Sequence, residues 1–98
     1  MLQNKINGKL SEIYAQHDLI DNGFSIFYVG RYGIDLFAAK SLSDDILQLW
    51  IEIKYNKSRL SKRQKQFKNF CRKMKLNHFT YRVTPNQLQH WLSQRSEI

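Results

Sequence analysis

Ile46-Leu47-Gln48-Leu49-Trp50-Ile51-Glu52-Ile53-Lys54-Tyr55 carries apolar side chains at Leu47, Leu49, Ile51 and Ile53, every second residue of the run. A period of two is the signature of a β-strand with one face on a core. Glu52 and Lys54 then point to the opposite face, about 7 Å apart along the strand. The run predicts the longest strand of a sheet, with an acid and a lysine side by side on it.

Upstream, residues 34–39 (IDLFAA) and 24–29 (FSIFYV) are aromatic and β-branched and read as two further strands. Gly30-Arg31-Tyr32-Gly33 forms the turn between them, and the polar residues 40–45 make a hairpin-length connection to the long strand. Before these strands a helix starts at Asn7 or Ser11 and runs to about Asp21, with Leu10, Ile13, Tyr14 and Ile20 at helical spacing. Asn22-Gly23 closes it, since glycine tolerates the left-handed conformation of a C-cap.

Downstream, Ser61-Lys62-Arg63-Gln64 matches a capping box, and the helix it opens runs to about Lys75. Phe67, Phe70, Cys71 and Met74 form its apolar stripe. A short strand, His78–Val83, follows. Thr84-Pro85-Asn86-Gln87 is a second capping box with proline at the first helical position, opening a helix that carries Leu88, Trp91 and Leu92. The order is αβββαβα. Short turns make the first three strands antiparallel, and the helix crossover makes the fourth parallel to a neighbour.

Ninety-eight residues suffice for one domain, residues 1–98. A hydrophobic content of 42%, with 13% aromatic, excludes the disordered class. Only short apolar runs occur, so no membrane partner is expected. The first residues lack the apolar stretch of a signal peptide. The single cysteine, Cys71, excludes an internal disulfide and suits a reducing compartment. A cytoplasmic location follows as the expectation.

The net charge of +8 is unevenly spread. Residues 1–52 hold four Lys/Arg against seven Asp/Glu (4 − 7 = −3), and residues 53–98 hold twelve against one (12 − 1 = +11). Segregated positive charge makes a basic face suited to nucleic acid, with an acidic protein or membrane as the lesser alternatives. Lys62, Lys65, Lys68 and Arg72 lie off the apolar stripe, where each could offset one phosphate. Lys57 and Arg59 leave the long strand in a loop. Arg31, with Tyr32, sits in the turn before Asp35.

Asp35 precedes Glu52 by a gap of sixteen residues and falls on the adjacent strand, about 4.8 Å across the ladder. If both acids face one way they can share a Mg²⁺ or Mn²⁺ ion, with the Ile53 carbonyl as a further oxygen. Such a metal polarises a phosphoryl oxygen and activates water, and Lys54 would stabilise the developing charge. Gln64 has two readings: the capping residue of its helix, or a side chain pointing over the sheet toward metal or phosphate. Other chemistries lack support. His17, His78 and His90 are widely spaced without cysteine partners, no glycine-rich phosphate loop exists, and Cys71 lies on a core stripe. No small-molecule cofactor is expected.

Gly8-x-x-x-Glu12, Asn22-Gly23-Phe24, the run from Gly33 through Asp35 to Ala38, and Ile51-Glu52-Ile53-Lys54 together resemble the PD-(D/E)XK nuclease superfamily. Within it the chain looks like the archaeal-type Holliday junction resolvases and similar small nucleases. The resemblance extends from Gly8 to about Val83, and departs from the family motif at Ile34, where the family name has proline. It implies an α/β, restriction-endonuclease-like mixed sheet flanked by helices. It also implies a metal-dependent endonuclease on duplex or branched DNA, with Asp35 and Glu52 as metal ligands and Lys54 as the catalytic lysine. Glu12 corresponds to the first-helix acid of many members. Resolvases of this kind act as homodimers, for which the last helix offers an interface if it does not complete the core. The alternatives are a binding module of the same fold that does not cut, and an adaptor docking an acidic protein.

Overall fold

A computed structural model describes residues 2–95 of the chain. The elements are α1 (Leu2–Asp21), β1 (Ser25–Arg31), β2 (Ile34–Ser41), β3 (Ile46–Tyr55), α2 (Lys62–Lys73), β4 (His78–Val83) and α3 (Pro85–Arg95). The strands form one sheet in the order β1-β2-β3-β4, antiparallel except for the parallel β3–β4 pair. This is the expected αβββαβα order, with its mixed sheet.

The β1–β2 turn is tighter than the four residues 30–33 suggest. Arg31 pairs with Ile34, leaving Tyr32 (φ 59) and Gly33 (φ 80) as the two loop residues. Two consecutive positive φ values match the twist that flanking strands require of a two-residue hairpin. A register irregularity between Tyr28 and Arg31 takes up Gly30 and ends the regular ladder early.

One face of the sheet meets α1. Ala15 and Leu19 bury against Leu36, Ala38, Ile51 and Ile53, with Phe24, Ile26 and Tyr81 at the margin. The helix buries Ser11, Ala15 and Leu19, four residues apart. That corrects the stripe expected from Leu10, Ile13, Tyr14 and Ile20: Ile13 and Ile20 are exposed. Small residues at the contact let the helix lie close to the sheet, and the larger isoleucines are displaced outward. Ser11 satisfies its buried hydroxyl by donating to the Asn7 carbonyl at 2.7 Å. The Tyr81 hydroxyl donates to Asp18 Oδ2 at 2.5 Å, tying β4 to α1.

The other face carries a row of rings, Phe27, Phe37, Trp50 and Phe67, with centroids 6.0, 4.7 and 6.1 Å apart in sequence. Phe67 and buried Cys71 bring α2 onto this row. Phe70 and Met74 remain exposed, so the expected four-residue stripe is half as wide as its spacing suggests. The row narrows where α2 begins, leaving the sheet end at Asp35 and Glu52 polar. Coverage of both faces explains three successive buried residues in β3: Ile51, Glu52 and Ile53. Leu88 is buried and Trp91 sits edge-on to Tyr14 at 5.7 Å, so α3 completes the packing on α1. Among the described residues, no helix is long and apolar enough to cross a membrane.

Candidate active site

Leu36 pairs with Ile51, and the next residue on each strand is Asp35 on β2 and Glu52 on β3. Adjacent antiparallel strands thus bring the two acids together at the sheet end where β2 starts. The Ile53 amide donates to Asp35 Oδ2 at 2.7 Å and holds that carboxylate in place.

Glu52 is 2% exposed, a position that disfavours charge. Burial, and then the Asp35 charge, push its carboxyl up to about 8, against the opposing pull of Lys54. Lys54 Nζ lies 3.7 Å from Glu52 Oε1. A cation between the acids would relieve the same repulsion. Glu12, partly buried on α1, is also pushed above the ordinary carboxylate range, by burial first and by Asp35 second.

Gln64 caps its helix and also reaches Glu52. Its Oε1 accepts from the Ser61 amide at 2.7 Å, and Ser61 Oγ accepts from the Gln64 amide at 3.2 Å, completing the capping box. Its Nε2 donates to Glu52 Oε1 at 2.6 Å. The start of α2 is pressed against the β1–β2 turn, where a Cβ on Gly33 would stand 2.8 Å from the Arg63 carbonyl oxygen.

Glu12, Asp35, Glu52, Ile53, Lys54 and Gln64 all border one polar cavity of about 260 Å³. Gly8 of the Gly8-x-x-x-Glu12 motif borders it too, as do Tyr55 and Ser58, which the sequence did not single out. The loop bearing Ser58 is held by Arg82, which donates to the Ser58 carbonyl at 2.6 Å and the Asn56 carbonyl at 3.1 Å. Among the described residues no three of His, Cys, Asp and Glu gather into a metal-binding group. Two carboxylates with water and substrate phosphate suit Mg²⁺ nonetheless.

A second cavity, about 180 Å³, shares Asp35, Glu52 and Gln64 and is otherwise bordered by Arg31, Tyr32 and Arg63, among others. Arg31 therefore borders the same cavity as the acids. Arg63 was missed, although it stands inside the capping box one residue before Gln64. The remaining expected cations spread outward. Lys57, Arg59, Lys62 and Lys65 are exposed around the loop and first turns of α2. Lys68 and Arg72 border a separate cavity of about 550 Å³ with Asn77 and His78. At 1.5 Å per residue, Arg72 is roughly 12 Å along α2 from Gln64.

No protein-family model matches the chain, and no curated protein matches it. Among solved structures the chain is similar to Hjc, a Holliday junction resolvase from the archaeal hyperthermophile Archaeoglobus fulgidus. The TM-score is 0.58 at 23% identity, over 80% of this chain. The match spans 65% of that resolvase's length. With its αβββαβα order and mixed sheet, the chain has the restriction-endonuclease-like fold of that resolvase.

Proposed function

We propose that the protein is a divalent-metal-dependent endonuclease that hydrolyses phosphodiester bonds in DNA, with branched DNA as its preferred class of substrate. The observation that carries this reading is the buried Glu52 carboxyl, bonded to Gln64, paired with Lys54 and sharing one polar cavity with Asp35. The same fold in a Holliday junction resolvase supports the choice of branched DNA.

Asp35 and Glu52 would hold Mg²⁺ or Mn²⁺, with the Ile53 carbonyl beside them. Hard oxygen donors, and two acids whose mutual repulsion a cation would relieve, fit such an ion. When bound, the ion polarises the phosphoryl oxygen and lowers the pKa of a coordinated water. Lys54 brings positive charge to the cavity where the attacked phosphate becomes more negative. Gln64 fixes the Glu52 carboxyl, and Glu12 can hold a proton at its own carboxyl on the α1 side of the cavity. Arg31, Lys57, Arg59, Lys62, Lys65, Lys68 and Arg72 would position the backbone through phosphate contacts. A homodimer would supply the two cavities that paired cuts in a junction require. A cytoplasmic setting fits the free, buried Cys71.

The test is cleavage of labelled four-way junction, flap, linear duplex and single strand with Mg²⁺, Mn²⁺ or EDTA. Metal-dependent cutting, lost in Asp35→Ala and Lys54→Ala, is expected, with the junction cut fastest. Tight binding without cutting in any metal would instead establish a binding module of the same fold.

A further inference from the structure

Asp35, Glu52 and Gln64 border both cavities, so they form a wall between them. On one side stand Lys54 and Glu12. On the other stand Arg31 from the β1–β2 hairpin and Arg63 from the first turn of α2. Two arginines from separate elements thus border the cavity behind the carboxylates. Among the described residues neither is engaged in an ion pair.

Their relative placement is fixed by backbone rather than by long side chains. Gly33 adopts φ +80, and the Arg63 carbonyl comes so close that a Cβ there would meet it at 2.8 Å. The hairpin turn and the start of the helix are therefore in close backbone contact, and Gln64 ties that helix start to Glu52. The volume of about 180 Å³ is below the roughly 300 Å³ at which drug-sized pockets begin. A small anionic group fits it better than a whole nucleotide. Arginine is the side chain suited to that group, because its planar fork can donate two parallel hydrogen bonds to phosphate oxygens.

We propose that this second cavity is a subsite for the phosphodiester next to the one that is cut, with Arg63 and Arg31 as its ligands. The inference rests on the nuclease reading and gives that site a direction: the strand crosses the wall formed by Asp35, Glu52 and Gln64. Because Asp35, Glu52 and Gln64 border both cavities, a phosphate seated in the first has its neighbour on the strand within reach of the second. Arg63 is a substrate-positioning residue in this arrangement, and its charge is needed at one phosphate only.

Binding and cutting of a labelled four-way junction test this with wild type, Arg63→Ala and Arg63→Lys, each checked for folding by circular dichroism. In Ca²⁺, Arg63→Ala is expected to weaken binding about tenfold, and to flatten the salt dependence by about one phosphate contact. Arg63→Lys should restore the salt slope. In Mg²⁺, a neutral methylphosphonate placed next to the cleaved bond should slow wild type about tenfold and slow Arg63→Ala no further. An unchanged salt slope in Arg63→Ala, or a methylphosphonate penalty that adds in full to that of the variant, would overturn the subsite. If wild type binds but does not cut, the nuclease reading fails and the salt slope alone decides the phosphate contact. Absence of any DNA binding by wild type would end both.

Discussion

Gln64 Nε2 donates to Glu52 Oε1 at 2.6 Å while Gln64 Oε1 caps the Ser61 amide at 2.7 Å. One side-chain amide thereby links the start of α2 to the buried acid of β3. Gln64→Ala removes both bonds. Loss of the cap is expected to cost ~1 kcal/mol in denaturant unfolding. Loss of a bond to the acid, worth ~1.5–3 kcal/mol if it acts in the transition state, should slow cutting about ten- to a hundredfold. Gln64→Glu keeps the cap acceptor but sets a like charge against Glu52. It should therefore retain more stability than alanine at low pH and, with one more negative charge beside the acids, bind Mn²⁺ more tightly than wild type, as read by calorimetry.

The Glu52 carboxyl is raised from the ordinary 4.5 to about 8 in the metal-free protein, so folding favours its protonated form. The resulting stability is fully present below the ordinary value and is lost as pH rises through about 8. EDTA-treated protein should melt at a lower temperature at pH 8 than at pH 5. Divalent cation should recover the loss at pH 8 and release protons on binding. Glu52→Gln, which cannot ionise, should flatten this dependence.

Gly33→Ala adds a methyl group 2.8 Å from the Arg63 carbonyl, at a φ of +80 that non-glycine residues rarely adopt. The expected loss is ~1–3 kcal/mol in chemical denaturation. Cutting should fall by more than this stability loss explains at a temperature where the variant remains folded, because the α2 start is displaced from Glu52.

Tyr81→Phe removes the 2.5 Å bond to Asp18, which lies on the α1 face of the sheet and away from the acids. Leaving Asp18 without that donor should lower stability by ~1–2 kcal/mol. The cutting rate of the folded protein is expected to stay within about twofold of wild type, since the geometry around Asp35 and Glu52 is untouched.

The site was legible where strand alternation fixes direction. Glu52 and Lys54 share a face because the period of a strand is two, and Asp35 joins them because short turns force antiparallel neighbours. The capping box placed the start of α2 to the residue, since Ser61 and Gln64 satisfy local amides whatever the tertiary context. The buried face of α1 was not legible. Ser11 and Ala15 carry little hydrophobic signal, yet their small size lets the helix approach the sheet, which only tertiary packing decides. Phe70 and Met74 follow helical spacing but lie beyond the width of sheet that α2 covers. Arg63 looked like one more cation in a basic run. Its place beside the acids comes from the close contact with Gly33, a meeting of residues thirty positions apart.

Glu52→Gln is the most direct probe of the central assignment, because glutamine can still accept from Gln64 while losing the charge that would bind metal. Single-turnover cutting of a four-way junction in Mg²⁺ should fall at least about 10²-fold, with junction binding in Ca²⁺ and the circular dichroism spectrum retained. Cutting by Glu52→Gln at the wild-type rate would contradict the assignment of Asp35 and Glu52 as the metal-binding pair.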